Sequence, residues 1–214
     1  MSFRISRRKL FALPAACAAG QSNQGAGAID RRAVVRRNNP VLRAVSPRSP
    51  LSVGNGEFAF TADVTGLQSI PGAYDKAMPL CTQSQWGWHS FPIPDGMSPD
   101  DLRMEMFETY GRQVGYATSA KGQEKLFNWL RENPHRLNLA RIGLRLDGKP
   151  LDASAITAIE QVLDLWTGTL TSRFRIEDAP VTVLTCCHPE RDAVAARVES
   201  PLVASYRLSV AIEF

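Results

Sequence analysis

Residues 81–92, with the sequence CTQSQWGWHSFP, hold two of the four tryptophans and one of the three histidines within four positions. The segment lacks the period of a helix or a strand, so an ordered loop is predicted. Sugars bind where aromatic faces stack on C–H patches and amides or hydroxyls pair with OH groups. The loop offers both kinds of contact through Trp86, Trp88, His89 and Gln85. The alternative is that the tryptophans fill one end of a core, as large aromatic residues usually do.

A second candidate pair, His135 and Arg136, follows Asn133-Pro134. Proline ends the preceding predicted helix and passes the chain to a strand, which exposes polar side chains at the junction. These two residues are candidate sugar ligands. The alternative is that they form hydrogen bonds that fix the turn. His188 lies in a predicted hairpin turn, where a structural role is expected.

No pair of carboxylates stands out for catalysis. Inverting glycoside hydrolysis needs an acid and a base about 6.5–9.5 Å apart on opposite sides of the sugar. The acids nearest the aromatic loop in sequence are Glu57, Asp63 and Asp75, and each is expected to be a solvated acid at a strand end. No catalytic residue is therefore predicted within the chain.

Residues 1–28 have the pattern of an export signal. A charged start precedes a short apolar stretch, and Ala26-Gly27-Ala28 fits a small-x-small cleavage site. The hexapeptide SRRKLF at residues 6–11 resembles the twin-arginine motif. The apolar stretch is too short for a bilayer, which needs about 20 residues. The sequence predicts a periplasmic or secreted protein with no membrane attachment after cleavage; lipidation at Cys17 is the weaker alternative.

Charge is distributed unevenly along the chain. The first fifty residues hold ten of the 25 Lys and Arg residues and one of the 21 acids, so the remainder has 15 basic and 20 acidic residues. Residues 29–50 are predicted to be an exposed basic leader. Because the body of the chain lacks a basic stripe interleaved with aromatic residues, no nucleic-acid partner is predicted.

The cysteines do not indicate a metal or a disulfide framework. Beyond the signal, Cys81, Cys186 and Cys187 remain, which is an odd number. Adjacent strand residues point to opposite faces, so the sulfurs of Cys186 and Cys187 would not converge on a metal. Buried or half-buried thiols are expected, and no metal or other cofactor is predicted.

Hydrophobic periodicity predicts a mainly β domain over residues 51–214. Tight-turn residues at 54–56 precede a strand over 57–64, and helices are predicted over 99–109 and 121–132. From residue 137 the period changes to two, which predicts strands at 137–146, 163–165, 169–176, 181–187, 193–199 and 204–214. Short turns between successive strands favour an antiparallel β-sandwich with one or two short helices.

The last predicted strand ends without a turn or cap. Tyr206, Leu208, Val210 and Ile212 alternate on one face, and an uncovered apolar edge strand is something complete proteins avoid. The sandwich domain is therefore expected to be incomplete at its C-terminal side.

Several segments resemble glycoside hydrolase family 65, the maltose and kojibiose phosphorylase group. LSVGNGEF at residues 51–58 resembles a signature near the start of that family, and LDLWTG at 163–168 with TSRF at 171–174 is similar to one of its strand pairs. The order of TGLQ (65–68), QWGWHSFP (85–92), NPHR (133–136), HP (188–189) and SPL (200–202) resembles a bacterial branch of family-65-like glycosidases. The resemblance covers roughly residues 40–214.

This resemblance implies the N-terminal part of a galactose-mutarotase-like supersandwich. In such proteins an (α/α)6 barrel follows and carries the catalytic glutamate, so the barrel would be the missing partner of this chain and the chain itself would be inactive. The expected function is the carbohydrate-binding or structural domain of an exported glycoside hydrolase or phosphorylase, with an oligosaccharide or glycoside as ligand. The alternatives are a free-standing exported carbohydrate-binding module and a purely structural β-domain.

Overall fold

The computed structural model describes residues 29–214, and the predicted signal peptide lies outside them. Residues 29–214 are mainly β, with 40% of them in strands and 15% in helices, which confirms the predicted fold class. Residues 32–214 form one compact unit. The helices are α1 (Arg31–Arg36), α2 (Glu124–Glu132) and α3 (Pro201–Ala204). The strands are β1 (Val41–Leu42), β2 (Leu51–Gly54), β3 (Phe58–Ala62), β4 (Thr82–Ser84), β5 (Trp88–His89), β6 (Glu105–Thr109), β7 (Arg112–Tyr116), β8 (His135–Arg136), β9 (Arg141–Leu146), β10 (Lys149–Pro150), β11 (Ile156–Asp164), β12 (Thr169–Ile176), β13 (Ala179–Cys187), β14 (Val194–Glu199) and β15 (Leu208–Glu213).

All strand pairs are antiparallel. The largest sheet has the order β1-β11-β12-β13-β14, and two three-stranded sheets have the orders β10-β9-β15 and β2-β3-β4. In β12 every second residue is buried, and these side chains share one core with those of β3, β9 and β15. The period of two therefore places one face of the large sheet against the smaller sheets, as in a β-sandwich.

The segment after β3, residues 63–70, is a buried loop at the centre of this core. Buried loops are uncommon because their backbone polar groups need partners. Here Gln68 exchanges hydrogen bonds with Ile142 of β9, and Gln161 of β11 donates to the Asp63 carbonyl oxygen (2.6 Å). Thr185 of β13 donates to the Gly66 carbonyl oxygen (2.7 Å). The loop thus joins the large sheet to β9.

Gly66 allows this close approach. Its φ is +82°, in the left-handed region, and a Cβ atom there would lie 2.9 Å from Ser172 Oγ and 3.1 Å from Val183 Cγ1. A larger residue would meet both backbone strain and a steric clash with the large sheet.

The prediction for Asp63 is wrong. The sequence predicts a solvated acid at a strand end, whereas the structure buries the side chain completely in the core. Its carboxylate accepts hydrogen bonds from Thr65 N (2.7 Å), Thr65 Oγ1 (2.6 Å) and Ile70 N (2.8 Å). Burial opposes the charged form more strongly than these bonds favour it, and the pKa of Asp63 rises to about 6.

The predicted helix over residues 99–109 is wrong. Ser98 caps a 3-10 turn as predicted, in a capping box with Asp101, but the turn ends at Asp101 and residues 105–109 form β6. Tyr110 and Gly111 both have positive φ, at 49° and 76°. A two-residue turn of this kind favours a hairpin, and β6 pairs with β7 instead of continuing a helix.

The second predicted helix is confirmed with a later start. It was expected over residues 121–132 and is observed as α2. Gly122 has a φ of +70°, which keeps it outside the helix. Of the three residues expected on the apolar face, Leu126 is buried, Trp129 is half-buried and Leu130 is exposed.

The predicted strands after residue 137 are largely confirmed. The predicted strand over 169–176 has the observed bounds of β12. β11 begins at Ile156 rather than Leu163, because a register irregularity between Thr157 and Glu160 interrupts the alternation that would have revealed it. The last strand begins at Leu208 instead of residue 204, since α3 occupies residues 201–204.

The two ends of the described chain each contribute a strand to a sheet. Within the predicted basic leader, β1 pairs with β11 and Asn39 accepts a hydrogen bond from Leu165 N (3.0 Å), so part of the leader belongs to the large sheet. β15 lies at a sheet edge, where Val210 and Ile212 are exposed. None of the helices within residues 29–214 has the length and hydrophobicity required to cross a bilayer.

The raised pKa of Asp63 predicts that its contribution to stability depends on pH. The folded state binds this proton more tightly than the unfolded chain does, so stability falls as the pH rises from the unfolded pKa, about 4, through the folded pKa of about 6. Relative to Asp63→Asn, the native protein should lose about 2 kcal/mol of unfolding free energy between pH 4.5 and 7.5. Urea denaturation of both proteins across this range measures the difference. If the unfolding free energy of the native protein instead rose with pH relative to that of Asp63→Asn, the hydrogen bonds to Asp63 would outweigh the effect of its burial.

Candidate functional site

The two sets of candidate sugar ligands, which are nearly fifty residues apart in sequence, lie side by side. β5 pairs with β8 in register, so Trp88 is opposite Arg136 and His89 is opposite His135. The Arg136 guanidinium carbon lies 4.9 Å from the centroid of the Trp88 ring. This cation–π contact holds a hydrogen-bond donor beside an aromatic face.

The rings on the other side of this strand pair form an aromatic cluster. His89 and His135 meet edge to face with centroids 5.0 Å apart, and Phe91 lies 6.1 Å from His89. His135 Nδ1 is 2.9 Å from the backbone oxygen of Glu132. Because a carbonyl oxygen only accepts, Nδ1 is the donor in this hydrogen bond, and Nε2 remains for another partner.

Trp86 forms a hydrogen bond with a residue that the sequence analysis does not identify. Its Nε1 donates to Asp192 Oδ2 (2.8 Å), and the Ser84 hydroxyl donates to the same oxygen. Asp192 lies in the loop between β13 and β14, more than one hundred residues later. Nothing in the spacing of Asp192 predicts this contact, because it depends on how the β2-β3-β4 sheet meets the large sheet.

The exposure of the two tryptophans contradicts the alternative that they fill one end of a core. Trp86 is 66% exposed and Trp88 is 52% exposed, so neither fills the core. Gln85 and His89 are also exposed. Only Gly87 of this group is buried, where a Cβ atom would lie 3.1 Å from Leu139 Cδ2. The segment therefore exposes its aromatic and polar side chains to solvent, while the backbone at Gly87 packs against the core.

The end of α2 holds this surface in place. Trp129 Nε1 donates to the backbone oxygens of Phe91 (3.2 Å) and Pro92 (2.9 Å). Asn133, which ends the helix, accepts from Phe91 N (3.0 Å). On the other side, Leu137 N donates to the Gly87 oxygen (2.8 Å). Backbone and side-chain hydrogen bonds thus fix both ends of the β5–β8 pair.

Asn55 links the turn before β3 to the loop that carries Asp192. Its Nδ2 donates to the backbone oxygens of His188 (3.1 Å) and Arg191 (3.0 Å). Its Oδ1 accepts from the backbone nitrogens of Glu57 (2.9 Å) and Phe58 (2.8 Å). All four hydrogen-bonding positions of one amide are used, so Asn55 sets the position of Asp192 relative to the aromatic segment.

A groove of about 200 Å³ lies between the 52–59 hairpin and Arg136. Its lining residues include Ser52, Gly54, Gly56, Glu57, Ala59 and Arg136. Gln85 N donates to the Glu57 backbone oxygen (2.8 Å), which joins the hairpin to the aromatic segment. The other two acids considered in the sequence do not line this groove, because Asp63 is buried and Asp75 pairs with Arg141 (3.3 Å).

The remaining candidates carry no chemistry at this surface. Within residues 29–214, no three His, Cys, Asp or Glu side chains converge as a metal site requires. Cys81, Cys186 and Cys187 are free, half-buried thiols, and burial raises the pKa of Cys81 and Cys187. His188 Nδ1 accepts from Glu190 N (3.0 Å) within its own turn, which fits a structural role.

Comparison with known proteins finds no relative: no family model, no curated protein and no solved structure matches the chain.

The four hydrogen bonds of Asn55 predict a specific effect of its removal. Asn55→Ala should free the loop over residues 188–193 and lower the free energy of unfolding by about 1–3 kcal/mol, because several backbone groups lose their partner. Hydrogen exchange of that loop and urea denaturation measure the two effects. Asn128→Ala, a change of the same type on the exposed side of α2, is the matched control. Unchanged protection of residues 188–193 in Asn55→Ala would contradict the assigned role.

Proposed function

We propose that this chain binds saccharides on the surface formed by the β5–β8 pair and the residues that adjoin it. The residues proposed to contact the sugar are Gln85, Trp86, Trp88, His89, His135 and Arg136. Of these, Trp88 and Arg136 lie on one side of the strand pair, and His89 and His135 lie on the other. The observation that carries the proposal is the solvent exposure of Trp86 and Trp88 next to fixed polar groups. Binding, and not bond cleavage, is the proposed activity of residues 29–214.

The types of side chain at this surface support a saccharide over other ligands. Indole faces offer flat apolar area for sugar C–H patches, and the amide, imidazole and guanidinium groups pair with hydroxyls as donors or acceptors. A hydrophobic ligand would leave the polar groups at this surface without partners. Two exposed tryptophans held by hydrogen bonds and a cation–π contact also lose little side-chain entropy on binding.

The resemblance to glycoside hydrolase family 65 supports a more specific form of the proposal. On that basis the chain is the N-terminal sandwich of an exported glycoside hydrolase or phosphorylase, and its aromatic segment contributes to sugar recognition. Export is supported by the twin-arginine-like signal in residues 1–28. The chemistry of such an enzyme would belong to the barrel that follows the sandwich in that family.

The second candidate is a free-standing exported carbohydrate-binding module, and it is favoured by the same exposed tryptophans. The two candidates differ in what saccharide binding by the isolated domain should look like. A free-standing module would bind with full affinity by itself, whereas a sandwich that lends a loop to a neighbouring active site would bind weakly. Measured affinity therefore separates them.

Saccharide binding is tested with the described domain, residues 29–214, and a panel of neutral oligosaccharides of glucose, galactose, mannose and xylose. We expect at least one to bind, and Trp88→Ala to weaken that binding about tenfold or more, because both the stacking face and the support for Arg136 are lost. Calorimetry or tryptophan fluorescence provides the affinities. Tyr110→Ala, which removes a still more exposed aromatic ring from the β6–β7 turn, is the control.

Two results would count against the proposal. The first is the absence of binding to every member of the panel by a domain that unfolds cooperatively. The second is binding that Trp86→Ala and Trp88→Ala leave unchanged. The second result would place the sugar elsewhere on the protein.

A further inference from the structure

Strand β15 has one unpaired edge. It pairs with β9 on one side, and no strand within residues 29–214 pairs with its other side. Leu208, Val210 and Ile212 share one face of β15, where Leu208 belongs to the core whereas Val210 and Ile212 are 51% and 60% exposed. An open edge with exposed apolar side chains is a template for another strand, so β15 is a candidate docking surface.

The hydrogen bonds of β9 show which residues of β15 direct their backbone groups to the open edge. The Ile142 oxygen accepts from the loop over residues 63–70 (2.7 Å), and the Leu144 nitrogen donates to the same loop (2.9 Å), so both groups point away from β15. In an antiparallel pair, the residue opposite such a position also points its backbone groups outward. Ile212 lies opposite Ile142, and Val210 lies opposite Leu144. The N–H and C=O groups of Val210 and Ile212 therefore face the open edge.

The two ends of β15 carry opposite charges on the other face of the strand. Arg207, immediately before the strand, pairs with Asp147 (2.7 Å) and Glu177 (2.8 Å). Glu213, the last residue of the strand, pairs with Arg145. Arg207 and Glu213 are an even number of positions apart, so their side chains point to the same face. Because antiparallel strands run in opposite directions, a second copy of β15 would bring an acid to the basic end and a base to the acidic end.

We infer that β15 pairs with β15 of a second copy of this chain, antiparallel and about a two-fold axis at Val210. The outward backbone groups of Val210 and Ile212 can bond only if even-numbered residues of the two copies face each other. With Val210 opposite its own counterpart, Ile212 faces Leu208 of the second copy. On the other face of the strand, Arg207 faces Glu213 of the second copy. In the next register of the same parity on either side, Arg207 has no acid opposite it, so the charges favour the register centred on Val210.

This pairing covers the open edge on both faces. The outward backbone groups gain partners, and the exposed apolar side chains pack against those of the second copy. On the other face, the charges alternate in sign from Asp147 and Arg207 of one copy to Glu213 and Arg145 of the other. A two-fold contact of this kind closes at two copies and joins their β10-β9-β15 sheets into one. Because a single strand pair is a small interface, the dimer should dissociate on dilution.

The first test measures the mass of the domain, residues 29–214, by analytical ultracentrifugation over a range of concentrations. We expect a reversible equilibrium between monomer and dimer. Val210→Lys places two like charges directly opposite each other and should weaken the dimer about tenfold or more. Val41→Lys is the control, because it changes another exposed valine of an edge strand, on β1 of the large sheet, and should leave the equilibrium unchanged.

The second test examines the register by cysteine substitution and mild oxidation. Val210→Cys places two thiols in facing positions with Cα atoms about 5.5 Å apart, a distance that a disulfide can bridge. Ala211→Cys is the control, because residue 211 faces residue 209 of the second copy and lies too far from its own counterpart. We expect a covalent dimer from Val210→Cys. Ala211→Cys should form no more of it than the native domain does through its own free cysteines.

Four results would overturn the inference. The domain could remain monomeric at every concentration up to about 1 mM, or form a dimer that Val210→Lys leaves unchanged. Equal cross-linking of Val210→Cys and Ala211→Cys would contradict the register. Assemblies that grow beyond the dimer would favour a further segment of a longer protein as the occupant of this edge. None of these results bears on saccharide binding, since the proposed sugar surface lies on β5 and β8.

Discussion

Burial of the loop over residues 63–70 is the constraint on which the rest of the structure depends. A buried chain segment without regular structure must find a partner for each backbone polar group, or pay a cost that folding cannot offset. Here Gln161 and Thr185 of the large sheet donate to the loop carbonyl oxygens of Asp63 and Gly66, and Ile142 of β9 accepts from Gln68 N. The loop therefore fixes the distance between the sheets, and Gly66 permits the closest approach.

The candidate site depends indirectly on the burial of this loop. Once the β2-β3-β4 sheet is fixed against the large sheet, the turn before β3 reaches the loop between β13 and β14, and Asn55 and Asp192 can connect the two. The aromatic segment then extends from the end of β4 with its tryptophans directed to solvent. Exposed tryptophans that are held by hydrogen bonds are typical of a surface prepared for a ligand with both apolar and polar faces.

Local patterns in the sequence predicted the mainly β fold, the strand over residues 169–176 and the helix before Asn133-Pro134. They failed where a turn or an irregularity decided the structure: Tyr110-Gly111 converted a predicted helix into a hairpin, and the irregular register in β11 concealed its first half. The residue types at 85–89 and 135–136 indicated sugar ligands, but their pairing arises from tertiary structure. Asp63 and Asp192 could not be assigned, because burial of the first and the partner of the second depend on sheet packing.

Saccharide binding at the aromatic segment is tested most directly by a ¹H–¹⁵N spectrum of the four tryptophan indole groups during titration with the saccharide that binds most tightly. Each of Trp86, Trp88, Trp129 and Trp166 contributes one indole signal. We expect the signals of Trp86 and Trp88 to move with a common saturation curve, while the signal of Trp166, on the turn between β11 and β12, stays unchanged. Movement of the Trp166 signal with the Trp86 and Trp88 signals unaffected would contradict binding at the aromatic segment.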